Sequence, residues 1–179
     1  MTSLQDLKAY LGDLLTAIQR SVYFLVAADQ QLPWPLSGAE LAARKKDEAL
    51  YQTLSAFNER YAKLQDTVGA AMRHASLLLG ERTDDFLHVL AHFEKAGVIT
   101  SVETWQALRL ARNQAAHEYE TDYGSIAEHF NALHALLPEL VLTAARLVAL
   151  SQTKLGIGPR DDAFASDVQR IVERLSRSP

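Results

Sequence analysis

The sequence predicts an all-α protein, an up-and-down antiparallel bundle of four to five main helices with a short C-terminal tail helix. Apolar residues recur at three- and four-residue steps along most of the chain, and no segment alternates for long enough to be a strand. Because short connections separate long helices with one apolar stripe each, neighbouring helices should be antiparallel. We expect residues 1–155 to form the bundle and residues 156–179 to form a linker and an amphipathic helix.

The first long helix is predicted to begin near residues 2–5, where the sequence is TSLQ. Its apolar stripe runs from Leu4 to Leu25, and the sequence LPWP at residues 32–35 should end it. Trp34 lies between the two prolines of that stretch. It is expected either to cover the core or to contact a partner protein.

Residues 37–40, with the sequence SGAE, have the form of a capping box and should begin the second long helix. In this motif the hydroxyl and the carboxylate each accept a hydrogen bond from a backbone N–H that the helix leaves unpaired. The stripe that follows runs from Leu50 to Ala75. Gly80 should end the helix in the left-handed conformation.

Three further helices are predicted before the tail. A short one covers about residues 84–96, and capping-box sequences at residues 100–103 and 125–128 should begin the other two. Pro138 should bend the last of them, since proline lacks an N–H donor and clashes with the preceding turn. The sequence GIGP at residues 156–159 then interrupts the helical pattern before the tail.

Composition and charge exclude several classes of function. A length of 179 residues predicts one domain. The formal net charge of −4 argues against an extensive phosphate-binding surface but does not exclude a local basic site. The absence of cysteine excludes disulfides and thiolate-metal sites. The N-terminal segment lacks the basic region of a secretory signal, and the longest wholly apolar run, residues 22–28, is too short to span a membrane. We therefore expect a cytoplasmic protein without membrane contact.

The most unusual segment is RNQAAHEY at residues 112–119, which places a guanidinium, an amide, an imidazole and a phenol within about two helical turns. The helix that carries it starts with an apolar row formed by Val102, Trp105 and Leu108. The same row continues to Arg112 and then to Tyr119, which lie about 20° apart around the helix axis. Polar groups therefore replace the core stripe in this part of the helix.

Asn113 and His117 occupy the neighbouring row, so that all four side chains fall within a wedge of about 160°. One interpretation places Arg112 and His117 in solvent and Tyr119 at the edge of the core. Because four unpaired polar groups are costly to bury, their occurrence where a stripe should continue favours a functional face.

The pattern Arg-x4-His-x-Tyr, with Asn directly after Arg112, resembles the signature of HEPN-domain ribonucleases. It is most similar to the HepT-like toxins, which are paired with a minimal nucleotidyltransferase (MNT) antitoxin, and the resemblance is specific over residues 104–123. It implies a metal-independent RNA endonuclease, without a cofactor, whose two motifs share one cleft in a homodimer. RNA is the implied substrate, and no DNA binding is expected.

The resemblance also implies a role for each polar residue of the motif. Arg112 and His117 would be catalytic, since His titrates near neutrality and the Arg fork matches phosphate oxygens. Asn113 would support them by orienting His117 or a phosphate oxygen. Tyr119 occupies the position that the partner nucleotidyltransferase modifies with AMP, which would add a bulky anion beside Arg112.

Two other classes of function remain open at the level of sequence. The chain could be a non-catalytic helical module that binds a nucleotidyltransferase or its substrate, or a structural bundle in which the motif is coincidental. Asp84, His88 and His92 have spacing that would place them on one helical face, where two imidazoles could chelate zinc. We expect an exposed helix face there rather than a metal site.

Overall fold

The structure is a computed structural model that describes residues 3–114 and 122–177, and all regular secondary structure within these ranges is helical. The all-α prediction is therefore confirmed for this part of the chain. A π-helical turn, Ser151–Leu155, continues the sixth helix. The helices are α1 Leu4–Asp29, α2 Gly38–Ala43, α3 Glu48–Leu78, α4 Phe86–Lys95, α5 Val102–Gln114, α6 Tyr123–Leu150 and α7 Ala165–Arg177.

The long neighbouring helices α1 and α3 are antiparallel. Near one end of the pair, the ring of Tyr10 packs edge-on against His74, with 4.9 Å between the ring centroids. Near the other end, the guanidinium of Arg60 lies 4.9 Å from the ring centre of Phe24. Residue numbers therefore rise along one helix as they fall along the other, which is the antiparallel packing predicted for neighbouring helices.

The core lies where α1, α3 and α6 meet, with α4 and α5 closing one side. Apolar stripes at helical spacing supply it, and removing such side chains from water is the main stabilising contribution. The helix α6 continues on both sides of Pro138. The largest fully buried side chains are Tyr61, Phe57, Phe93, Leu11, Leu15, Ile18, Leu25, Leu41, Leu64, Met72, Leu108 and Leu133.

The helix predicted from residues 37–40 is separate from α3. Ser37 caps only the six-residue α2, and its Oγ accepts the N–H of Glu40. The longer helix α3 has its own N-cap, Asp47, whose Oδ1 accepts the N–H of Leu50 at 3.0 Å. At the other end, Gly80 has φ +76°, which confirms the predicted left-handed residue.

The predicted capping box at residues 100–103 is wrong by one residue. Ser101, rather than Thr100, caps α5, with its Oγ accepting the N–H of Thr104 at 3.0 Å. Thr100 instead donates its hydroxyl to Oε1 of Glu139 on α6, at 2.7 Å. Two adjacent hydroxyl residues offered the same cap, and the contact with α6 selected between them.

The predicted capping box at residues 125–128 is also wrong, because α6 begins earlier. Its N-cap is Asp122, whose Oδ1 accepts the N–H of Gly124 at 3.0 Å. The hydroxyl of Ser125 donates to Oδ2 of the same carboxylate at 2.6 Å. A carboxylate three residues upstream of the serine therefore takes the capping role.

Replacing Asp47 with asparagine is expected to reduce the dependence of stability on acid pH. The N–H of Leu50 and then the guanidinium of Arg44 hold the pKa of Asp47 below its ordinary value of 3.8. A lowered pKa contributes stability above the unfolded-state pKa, and this contribution is lost as the pH falls through the folded-state pKa. Asparagine can still cap the helix but does not titrate.

The measurement is the free energy of unfolding in urea at several pH values between about 2 and 6. The Asp47→Asn variant should lose less stability than the wild type as the pH falls below 3.8. Glu59→Gln, which removes a carboxylate from the exposed side of the same helix, should leave this part of the pH dependence in place. An Asp47→Asn curve that parallels the wild type would refute the assignment.

The tail is anchored to α1. The backbone N–H of Arg160 donates to the hydroxyl of Thr16 at 2.7 Å, and its guanidinium pairs with Asp13 at 3.1 Å. The helix α7 packs against α1 and α6, with Val168 buried between them. Gly156 has φ +67° and ends the π-helical turn before this segment.

Trp34 covers the core, which is the first of its two predicted alternatives. Its indole N–H donates to the backbone oxygen of Asp29 at 2.9 Å, and its ring stacks on His134 with centroids 4.2 Å apart. It also contacts the buried ring of Phe57. His134 in turn bonds to the carboxylate of Asp29 at 2.6 Å. The indole therefore fixes the chain at the end of α1 against α6.

Two continuous helical stretches, Leu4–Asp29 and Tyr123–Leu155, are long and apolar enough to cross a membrane by length and composition alone. Their mean hydropathy reaches 1.2 and 1.6, and 44% of each apolar window is buried within the bundle. Core helices of a soluble bundle need the same length and composition, so hydropathy does not assign either stretch to a membrane.

Candidate functional site

A pocket of about 350 Å³ opens between α3 and α5, next to the beginning of α4. Residues that repeat at three- and four-residue steps line it, since those steps place side chains on one face of each helix. Arg112 of the motif lies at this pocket, together with a second arginine of α5 and one of α3. The lining residues are Gln65, Asp66, Gly69, Ala70, Arg73, Phe86, Trp105, Arg109 and Arg112.

Small residues on α3 leave the space open. A Cβ atom added to Gly69 would lie 3.6 Å from the Phe86 ring and 3.6 Å from the Trp105 ring, which is ordinary van der Waals contact. Ala70 follows directly and adds little volume. The two aromatic rings therefore form apolar walls, and the glycine lies between them.

The charged groups of the pocket are predominantly positive. Among the described residues that line it, three arginines and one aspartate leave two positive charges, in a chain whose formal net charge is −4. The Arg112 Nη1 atom donates to Oδ1 of Asp66 at 2.5 Å, and the guanidinium of Arg73 lies over the Phe86 ring at 5.2 Å. Because guanidinium groups stay charged and match phosphate oxygens in geometry, the pocket suits a phosphate-bearing ligand.

Gln65 lies against the same pocket with its polar atoms unpaired. Its side chain is 2% exposed, and among the described residues neither its amide oxygen nor its amide nitrogen has a hydrogen-bond partner. A buried polar group without a partner destabilises the fold, and such a group in a native structure calls for an explanation. A ligand with both a donor and an acceptor would satisfy both atoms.

The described residues contain part of the predicted motif. Arg112 and Asn113 both lie in α5, where Arg112 is partly buried at the pocket and Asn113 is exposed. Trp105 and Leu108 are buried, as the predicted apolar row requires. His117 and Tyr119 lie outside the described residues, so their predicted roles stay predictions.

The structure adds residues that the sequence did not single out as functional. Asp66, Arg73 and Arg109 surround Arg112 at the pocket, and Gln65 is buried beside it. One signal was present in the sequence: Gln65 follows Leu64 directly at the edge of the α3 stripe, where an apolar residue could have been used. Gln65 becomes part of a candidate site only because α5 lies opposite it, and the local sequence does not specify that packing.

The zinc alternative is not supported within residues 3–114 and 122–177, where no group of three or more His, Cys, Asp or Glu residues could hold a metal ion. Asp84 precedes α4 and pairs with Arg82 at 2.8 Å. The hydrogen bond from Arg82 lowers the pKa of Asp84 to about 2. The prediction that Asp84 shares a helical face with both histidines is therefore wrong. Asp84 and His88 are exposed as expected, whereas His92 is partly buried and lies 3.7 Å from Glu81.

No protein-family model matches the chain, and no curated protein or solved structure is significantly similar to it.

Proposed function

We propose that the protein is a metal-independent RNA endonuclease, the toxin of a toxin–antitoxin pair, with its active site at the motif that begins at Arg112. The observation that carries the proposal is the position of Arg112 at a pocket with Arg73 and Arg109, where positive charge is concentrated in an acidic chain. The residue types of the motif and the resemblance to HepT-like toxins support the same function.

In the proposed reaction the ribose 2′-oxygen attacks the adjacent phosphorus. A bond forms between the 2′-oxygen and phosphorus, the bond from phosphorus to the 5′-oxygen breaks, and a 2′,3′-cyclic phosphate results. One His117 imidazole would accept the proton of the 2′-hydroxyl, and a protonated one would give a proton to the leaving 5′-oxygen. Arg112 would stabilise the charge that develops on the phosphoryl oxygens. Asn113 would orient His117 or a phosphate oxygen.

The proposal includes a homodimer in which two copies of the motif face one cleft. Two imidazoles could then hold the two protonation states that the reaction needs, with one acting as base and one as acid. The antitoxin would be an MNT-type nucleotidyltransferase that adds AMP to Tyr119. The phosphate of that group would compete with RNA for Arg112. A cytoplasmic location would give the enzyme access to its substrate.

Growth arrest on controlled expression tests the function. Wild-type protein should arrest growth, and Arg112→Ala or His117→Ala should relieve the arrest at equal protein levels. Arg20→Gln is the matched control, because Arg20 is exposed on α1 and does not line the pocket. Toxicity that survives both motif substitutions would show that the motif is not the active site.

Purified protein separates the nuclease from the binding-module alternative. The nuclease should cut RNA in the presence of a metal chelator, and an oligonucleotide with 2′-deoxyribose at the cleaved position should resist. A protein that binds a nucleotidyltransferase tightly but never cuts RNA would support the non-catalytic module instead.

A further inference from the structure

We propose that the pocket between α3 and α5 binds one adenine nucleotide, with its phosphate on the arginines and its base against Gln65. The pocket itself is lined by described residues. That the nucleotide belongs to an RNA chain next to the cleaved bond rests on the proposed function. The pocket would then determine which base precedes or follows the cut.

The phosphate end of the site is formed by three guanidinium groups. Arg73, Arg109 and Arg112 line one pocket, and among the described residues that line it Asp66 is the one with a negative charge. Stacking over Phe86 holds Arg73 in place, and the carboxylate of Asp66 holds Arg112. An incoming phosphate would replace Asp66 as the partner of Arg112, because it offers more acceptor oxygens to the guanidinium fork.

The base end of the site is formed by Gln65. Its amide presents one acceptor and two donor hydrogens, and none is used within the described part of the chain. Glutamine pairs with adenine through two hydrogen bonds, accepting from N6 and donating to N7. Inorganic phosphate can donate to the glutamine oxygen only through an O–H group, whereas adenine presents an N6–H donor and an N7 acceptor side by side, in the arrangement that the glutamine amide matches. Gln65 therefore fits a base better than an inorganic anion.

The size and the walls of the pocket also fit a nucleotide. Its volume of about 350 Å³ lies at the lower end of the range for small-molecule sites. Phe86 and Trp105 supply apolar surface for the faces or edges of a base. Gly69 leaves room between these rings, since any side chain there would occupy the space in front of them.

The test is calorimetric titration of the full chain with AMP, ribose 5-phosphate and inorganic phosphate. We expect one AMP per chain and weaker binding of ribose 5-phosphate, which lacks the base, by about 5-fold to 150-fold, the factor that one bidentate base contact supplies. Inorganic phosphate should bind more weakly than AMP. Equal affinity for AMP, ribose 5-phosphate and phosphate would overturn the base assignment, and failure of AMP to bind would overturn the site.

Gln65→Leu separates recognition from a structural role. Leucine has a similar volume and removes two unpaired polar atoms, so the variant should be at least as stable as the wild type in urea. It should also lose most of the difference between AMP and ribose 5-phosphate. If the difference persists, Gln65 does not recognise the base.

Gly69→Ala is a second variant that should fold. Alanine favours the helix relative to glycine, and its Cβ meets the two rings at contact distance without a clash. AMP binding should weaken while the midpoint of thermal unfolding stays the same or rises. Unchanged AMP affinity would show that the ligand does not occupy the space beside Gly69.

Charge variants test the phosphate end. Arg73→Gln and Arg109→Gln should weaken the binding of AMP, ribose 5-phosphate and phosphate alike, whereas Asp66→Asn should strengthen the binding of all three by releasing Arg112. Arg20→Gln, outside the pocket, should change none of them. If none of the three pocket variants changes the binding of these compounds, the phosphate assignment is wrong.

RNA cleavage distinguishes failure of the site from failure of the proposed function. Cleavage next to adenine that becomes independent of the base in Gln65→Leu would support both proposals. AMP binding of the expected pattern without RNA cleavage would leave the pocket standing and reject the nuclease. Cleavage that depends on Arg112, in a protein that does not bind AMP, would support the nuclease and reject the nucleotide site.

Discussion

Cleavage of RNA by the purified protein is expected to slow by about 10²-fold to 10⁴-fold when His117 is replaced with alanine, the usual contribution of one general acid–base group. The proposed reaction needs a proton removed from the 2′-oxygen and another delivered to the leaving oxygen. Alanine can do neither, whereas Arg112 would still bind the phosphate. The measurement is the single-turnover rate on a labelled oligonucleotide at saturating enzyme.

The control for this prediction is His88→Ala, which removes an exposed imidazole on α4 that does not line the pocket. It should cleave at the wild-type rate. Binding of the uncleaved 2′-deoxy oligonucleotide should be similar in His117→Ala and wild type, because the imidazole acts on the reaction rather than on affinity. A loss of affinity that accounts for the whole rate change would contradict an acid–base role.

Replacing Phe57 with alanine is expected to lower the free energy of unfolding by about 3–5 kcal/mol, the usual cost of truncating a buried phenylalanine. The ring is fully buried on α3 and contacts both Trp34 and Phe130. Its removal would leave a cavity where the α1–α2 connection, α3 and α6 meet, and dense helix packing would prevent full collapse. Urea denaturation followed by circular dichroism measures the change.

Leu77→Ala is the matched control, because Leu77 lies on the same helix but is 49% exposed. Its effect should be within about 0.5 kcal/mol of zero, as for most surface substitutions. Phe57→Leu should fall between the two, since leucine fills part of the space. A small loss in Phe57→Ala, equal to that in Leu77→Ala, would mean that the core near Trp34 is loosely packed.

The helices were predictable because their stripes depend only on local periodicity. The residues from Leu50 to Ala75 that were expected to face the core are buried in α3, and Gly80 takes the expected left-handed conformation. Helix beginnings were less predictable where several capping groups stand close together. Ser101 caps α5 in place of Thr100, and Asp122 caps α6 in place of Ser125. In the first case the hydroxyl of Thr100 donates instead to Glu139 of another helix.

The pocket was much less predictable than the helices. Arg112 was identified from its motif, but its partner Asp66 is 46 residues away in sequence and belongs to another helix. The convergence of Arg73 and Arg109 on the same space requires the relative register of α3 and α5. That register depends on how Trp105 and Leu108 pack in the core, and a local sequence pattern does not specify this packing.

The positions of the two tryptophans allow binding in the pocket to be followed by intrinsic fluorescence. Trp34 stacks on His134 and contacts Phe57, and none of these three residues lines the pocket between α3 and α5. Trp105, in contrast, forms part of the wall of that pocket. The chain has no third tryptophan. In a Trp34→Phe background, all indole emission would therefore come from the pocket wall, and the protein would report its own occupancy without an attached label.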